Sequence, residues 1–189
     1  MVNYKNNVIC DLHRYTGTVS VYIFLKYILF NPGFKYTSIL RVTRYLKGKG
    51  FICMPFYALF RMFLNHYTYK YGISIPYNTN ISAGFYIGHF GGIVINHKTV
   101  IGINCNISQG VTIGETYGGK NPGVPVIGDN VYIGPGAKII GGITIGNNVA
   151  IGANCVLTKS VPDNAIVVGI PGEVKSYSGS GNYINNKII

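Results

Sequence analysis

The sequence predicts a mainly β protein: a parallel β-helix of hexapeptide repeats with an α-helical cap on its N-terminal side. Three observations predict it. Ile127, Ile133, Ile139, Ile145, Ile151 and Leu157 recur with a period of six. Four residues after each of them stands Val131, Ala137, Ile143, Val149, Cys155 or Val161, all small or apolar. Residues 1–72 lack this frame and carry long apolar and aromatic segments interrupted by Arg and Lys. A period of six fits neither the α-helical turn nor simple strand alternation. It fits short strands joined by corners, three to a coil, with each coil burying its inward residues on the next.

In chain order, residues 1–72 are expected to form an α-helical domain of three or four helices. "TSILRVTRYLKGKG" places Ile39, Val42 and Leu46 on one side and Arg41, Arg44 and Lys47 on the other, and glycines end it. "FICMPFYALFRMFLNHYTYKYG" gives a further helix after Pro55, and Asn31-Pro32-Gly33 is a turn between helices. Two roles remain open for this cap: packing on the β-helix and on other subunits, or contact with a membrane surface through its basic, aromatic helices. Residues 73–175 are expected to be the β-helix. Its frame starts at Ile75, Ile81, Ile87 and Ile93, and a two-residue slip at "IVINHK" precedes Ile101, Ile107 and Ile113. Ile113 and Ile127 stand two positions further apart than the frame allows, and residues 115–126 are expected to be an extruded loop. Departures from a repeat tend to mark its working face. Residues 176–189, rich in Ser, Gly and Asn, are expected to be a flexible tail.

Composition narrows the function classes. The chain has 189 residues, 26 glycines without a collagen period, and a formal net charge of +11. Its Lys and Arg are mostly scattered, so a basic surface attracting anionic substrates or membranes is expected, and no nucleic acid. Cys10, Cys53, Cys105 and Cys155 form no metal-spaced set, so no metal is expected. Cys105 and Cys155 occupy inward slots and are expected to be packing residues. With no secretory leader pattern in the first residues, a cytoplasmic protein is expected, with a peripheral place at the inner membrane face as the alternative.

The hexapeptide run, "GHFGGIVI" followed by "ISQGVTIG", and the ending "IGANCVLTKSVPDNAIVVGIPGEV" resemble the left-handed β-helix acyltransferases. Within them, the serine acetyltransferase-like branch is the nearer match, and in particular its shorter relatives of capsule and polysaccharide biosynthesis. The resemblance implies a left-handed coil, a homotrimer or a dimer of trimers, and acetyl-CoA lying in a groove between adjacent β-helices.

It also implies roles for particular residues. His89 in "GHFGGIVI" matches the general base, while His97, His13 and His66 match none. Acetyl transfer to a hydroxyl needs such a base and a donor for the developing oxyanion. Ser74 stands where the family has the Asp that orients the imidazole, and Glu115 is a second candidate for that task. Gly88 and Asn31 stand where the family has acids that hold the serine amine, and Val124 is near a second family His. Gly114 matches a position near the thioester, Pro135 and Ala153 the pantetheine path, and Thr158 and Lys159, with Lys175, the nucleotide end; Thr116 is a further cofactor-binding candidate. With both amine-holding acids replaced, the expected acceptor is a neutral sugar hydroxyl in polysaccharide biosynthesis. The alternative is serine O-acetylation for cysteine synthesis. The terminal Ile188-Ile189 keeps that alternative alive, because it is the kind of C-terminus that cysteine synthase captures. A scaffold that has lost catalysis is a third reading.

Overall fold

The computed structural model describes residues 4–188, with side chains from residue 7. Its helices are α1 (Tyr4–Thr16), α2 (Val21–Phe30), α3 (Pro32–Lys47) and α4 (Met54–Tyr71), with a 3-10 turn at Phe51–Cys53. Local chemistry sets their ends. The Asn31 side chain accepts from the Phe34 amide at 2.8 Å and caps α3, with Pro32 in the first turn, where its missing N–H costs nothing. Gly72, at φ +61°, ends α4 in the left-handed conformation.

From Ile73 the chain winds through three parallel faces. Face A stacks Ile73–Ser74, Ile93–Ile95, Thr112–Gly114, Lys138–Ile140 and Val156–Leu157. Face B stacks Asn80–Ile81, Val100–Ile101, Val126–Ile127 and Thr144–Ile145. Face C stacks Tyr86–Ile87, Asn106–Ile107, Tyr132–Ile133, Ala150–Ile151 and Ile166–Val168, closed by the antiparallel Glu173–Ser176. The isoleucines of the six-residue frame point inward and are buried, each stabilising the stack by about 1.5–3 kcal/mol. Cys105 and Cys155 share this core, and burial pushes the Cys105 thiol up to about 12.

The pairing register locates both departures from the repeat. Val94 pairs with Thr112 and Tyr132 with Ala150, which sets the regular coil at three hexapeptides. Ile73 pairs with Ile93, Asn80 with Val100 and Tyr86 with Asn106, and each of these pairs is two positions longer than the regular coil. The two extra residues therefore lie between Ile87 and Ile93, ahead of the "IVINHK" segment where the sequence frame put the slip. The frame misled because Ile93 and Ile95 are both buried, and it is Ile95 that stacks on Ile113. The second departure is larger than the two extra positions counted in the sequence. Val100 pairs with Val126 and Thr112 with Lys138, each eight positions longer than the regular coil, so the chain leaves the coil by that much after Ile113.

The corner between faces B and C is held by a ladder. Asn104, Asn130, Asn148 and Asn164 all have φ between +55° and +61°. Asparagine tolerates this region better than other non-glycine residues. Their amides are linked in series, Asn104 to Asn130 at 3.1 Å, Asn130 to Asn148 at 3.1 Å and Asn148 to Asn164 at 3.2 Å.

The cap is fixed to the first coil by buried polar contacts. The Arg41 guanidinium donates to both Asp11 carboxylate oxygens at 2.8 and 3.0 Å, and to the Ile81 and Ser82 carbonyls. The Tyr15 hydroxyl bridges the Ile87 amide and carbonyl, both at 3.1 Å. Gly33 allows this approach, since a Cβ there would lie 2.4 Å from the Ile87 carbonyl oxygen.

In place of a free tail, residues 179–188 run back along the ladder toward the cap. The Gly179 and Ser180 amides donate to the Asn164 and Asn148 carbonyls, both at 2.9 Å. Further along, Tyr183 stacks on Tyr132 at 5.0 Å and Ile184 is buried. Asn104 exchanges two hydrogen bonds with the Ile188 backbone. Ile189 lies outside the described residues.

Candidate active site

At the corner between faces C and A the coils superpose residue by residue. Gly88, Ser108, Gly134 and Gly152 follow the face C anchors, and Gly92, Gly110, Gly136 and Asn154 precede face A. Each coil donates to the residue before the equivalent one below. The Gly110 amide reaches the Gly91 carbonyl at 2.8 Å, Gly136 reaches Gln109 at 2.9 Å and Asn154 reaches Pro135 at 2.7 Å. Gly91 is thus the counterpart of Gln109, Pro135 and Ala153. The residues without counterpart are His89 and Phe90. The repeat breaks at this corner to carry one histidine and one aromatic ring, both exposed.

His89 opens on a cavity of about 310 Å³ formed by Arg14 and Tyr15 of α1, by Tyr86, Gly88, Asn106, Ser108 and Tyr132 of face C, and by Tyr183, Asn185 and Asn186 of the C-terminal segment. Arg14 is buried in this wall. It donates to the Asn185 carbonyl at 3.0 Å, the Gly84 carbonyl at 2.8 Å and the Asn106 amide oxygen at 2.7 Å. All three partners are neutral, and among the described residues Arg14 makes no ion pair. Burial pulls its pKa down from the ordinary value, but a guanidinium stays charged. The cavity therefore holds a cation without a carboxylate. Sequence reasoning missed Arg14, Asn106, Tyr183, Asn185 and Asn186, because no local motif joins residues up to 172 positions apart.

The other corner of face A, toward face B, carries the extruded loop. Thr116 and Gly123 exchange backbone hydrogen bonds at 3.0 and 2.8 Å and close it. A second cavity of about 310 Å³ lies against it, lined by Thr116, Gly118, Gly119, Lys120, Asn121, Ile140, Thr158 and Lys159. The structure thus brings Thr116, Thr158 and Lys159 together and adds Lys120. Gly114 is at the same edge, where a Cβ would sit 3.0 Å from Ile140. Pro135 and Ala153 are at the opposite edge, in register with the His89 corner.

Several expected partners are not brought together within one chain. Ser74 is exposed on the outer side of face A, opposite Val94, and no hydrogen bond joins it to His89. Glu115 is at the loop edge, where the Lys98 ammonium at 2.9 Å and the Asn96 amide at 3.3 Å engage it. Lys98 holds the Glu115 carboxyl below its ordinary value. Asn31 spends its side-chain oxygen on the α3 cap. His97 and His66 are exposed, His13 is half-buried in α1, and Lys175 pairs with Glu173.

Comparison with known proteins fixes the class. The family described as "Bacterial transferase hexapeptide (six repeats)" matches residues 125–159. The serine acetyltransferase of Synechococcus elongatus is 37% identical over 157 residues, 82% of this chain and 62% of that protein. The Brucella abortus serine acetyltransferase in complex with coenzyme A superposes with a TM-score of 0.77 at 26% identity, over 93% of this chain and 69% of that one. The Neisseria gonorrhoeae enzyme in complex with serine gives 0.69 at 29%, over 90% and 68%. The chain belongs to the hexapeptide-repeat acyltransferases, and its coil is their left-handed parallel β-helix. Within them it stands in the serine acetyltransferase-like branch. It spans 51% to 62% of the length of the first curated relatives it matches.

These relatives overturn the expectation of a sugar hydroxyl as acceptor. The curated and structural matches are serine acetyltransferases, which favours the alternative reading. An ammonium group does not require carboxylates at the two positions where Gly88 and Asn31 stand. The wall beside His89 offers amide oxygens and tyrosine rings, which also accept an ammonium.

Proposed function

We propose that this chain is an acetyl-CoA-dependent O-acetyltransferase whose acceptor is the hydroxyl of L-serine. The observation that carries the reading is the His89-Phe90 insertion beside a cavity with an uncompensated arginine. His89 takes the hydroxyl proton as the serine oxygen attacks the thioester carbonyl. The new C–O bond forms, the C–S bond of the tetrahedral intermediate breaks, and the imidazolium returns its proton to the departing thiolate. Arg14 suits the serine carboxylate, and the amide oxygens of Asn185 and Asn186 suit the ammonium.

Acetyl-CoA is the co-substrate of this reading. Lys120 and Lys159 in the loop cavity suit its phosphates, and the small positions Gly114, Pro135 and Ala153 leave room for the pantetheine. The loop cavity and His89 lie at opposite edges of face A. A homotrimer, in which the loop edge of one copy meets the His89 corner of the next, supports a single reactive centre.

The test is thiol release from acetyl-CoA with L-serine, for the wild-type protein, His89→Ala and Arg14→Lys. Serine-dependent release is expected, lost in His89→Ala and kept in Arg14→Lys with a raised KM for serine. No serine-dependent release from the wild-type protein overturns the proposal.

A further inference from the structure

The α-helical cap carries a surface that the acyltransfer reaction does not use. In α2, Val21, Tyr22, Leu25, Lys26, Leu29 and Phe30 are the exposed residues, spaced as one helical face. Five of the six are apolar, and α2 has no fully buried residue. Between α2, α3 and α4 runs a groove of about 420 Å³. Leu29 and Phe63 are its exposed edges, Lys35 stands beside it, and Ser38 has a buried hydroxyl without a partner among the described residues. A second apolar point, Phe51-Ile52, is 88% exposed at both residues and directly follows the exposed Lys47 and Lys49. Contiguous apolar surface of this kind marks a contact with something other than water.

Charge decides between occupants. Residues 1–72 contain ten lysines and arginines and one acid, Asp11. That acid is buried against Arg41, so every exposed formal charge among the described cap side chains is positive. A second copy facing this surface would bring like charges together. An anionic lipid surface is complementary to both the apolar stripe and the lysines. We infer that the cap docks on an anionic lipid bilayer, with α2 lying in the interface and Phe51-Ile52 inserted beside Lys47 and Lys49. The groove would take lipid acyl chain, and the Ser38 hydroxyl is a donor for an ester carbonyl. No helix among the described residues is long and apolar enough to cross a membrane, and α2, with ten residues, lies along the surface.

The experiment is co-sedimentation of the full chain with vesicles of phosphatidylcholine alone or with phosphatidylglycerol added. Light scattering without vesicles runs in parallel. Tyr22→Glu/Leu25→Glu is the test variant, since both side chains are exposed and outside the proposed active site. Binding to the anionic vesicles, weakened by salt, is expected, with little binding to phosphatidylcholine. The variant should bind at least about tenfold more weakly, with two apolar anchors lost and two negative charges gained, while keeping its circular dichroism and acetyl transfer. Absence of anionic-vesicle binding overturns the inference, as does equal binding by the variant. A smaller assembly for the variant than for the wild type in light scattering also overturns it, because a second copy would then be the occupant.

Discussion

Deleting His89 and Phe90 should leave the fold standing and remove the chemistry. The deletion joins Gly88 to Gly91 and turns the lengthened coil into a regular one, matching Ser108-Gln109-Gly110 in the coil above. The Gly110 amide keeps its Gly91 acceptor, and glycine at 91 can leave its φ of +105° for an ordinary value without steric cost. The lost packing is the Phe90 ring, half-exposed and 5.3 Å from Tyr71. An aromatic pair of this kind is worth about 1 kcal/mol, so urea unfolding should show a loss of that order. Removing a general base costs about 10²–10⁴ in rate, or roughly 3–5 kcal/mol in the barrier. The deletion and His89→Ala should therefore lose similar amounts of kcat with serine and acetyl-CoA. A stability loss above about 3 kcal/mol would refute this reasoning, because the corner would then not be a regular coil with two residues added. So would a deletion variant that turns over at the wild-type rate.

Other outcomes follow from the same geometry. Asn130→Gly should destabilise by about 1–3 kcal/mol through two lost amide hydrogen bonds. Asn130→Ala should cost about 1 kcal/mol more, because alanine must also adopt φ +55°; equal urea midpoints for the two variants would count against this backbone cost, and an unchanged midpoint for Asn130→Gly against the ladder. Burial raises the Cys105 and Cys155 thiol pKa values, so both keep their protons at pH 7. A disulfide exchange reagent should then titrate at most Cys10 and Cys53 in the native protein, and the two core thiols only after unfolding. Lys159→Ala should raise the KM for acetyl-CoA about fivefold with little change in kcat, the size expected for one exposed ammonium–phosphate contact.

The β-helix was legible because each coil makes the same demand on its sequence. An inward position must be apolar and of fixed size, and one residue out of phase would put it in water. The helix boundaries at Asn31-Pro32 and Gly72 were legible for equally local reasons. The exact place of the break was not, since Ile93 and Ile95 both satisfy the inward requirement and a count of six accepts either. Counting eight from Ile87 to Ile95 puts two extra residues somewhere between them, and only the Gly110 bond to Gly91 assigns them to His89-Phe90. The cavity was hidden more deeply. Its wall joins α1, successive coils of face C and the C-terminal segment, and Arg14 meets Asn185 across 171 positions. The C-terminal segment has a flexible composition, but the Gly179 and Ser180 amides and the Ser180 hydroxyl find acceptors along the row of left-handed asparagines. The acceptor is not legible in the sequence, because Gly88 and Asn31 show only which acids are absent, while the buried Arg14 is brought to His89 by the fold alone.

The C-terminal segment has one more consequence, which concerns the order of events in synthesis. The coils can stack as they emerge, each on the one before. The Asn185 carbonyl that Arg14 holds is made only after all of them. Until then one wall of the His89 cavity is missing, however complete the coils beneath it. A chain stopped after Val168 would keep the stacked repeats and the histidine and still have an open cavity. Formation of the site is thereby tied to a segment made after the last coil.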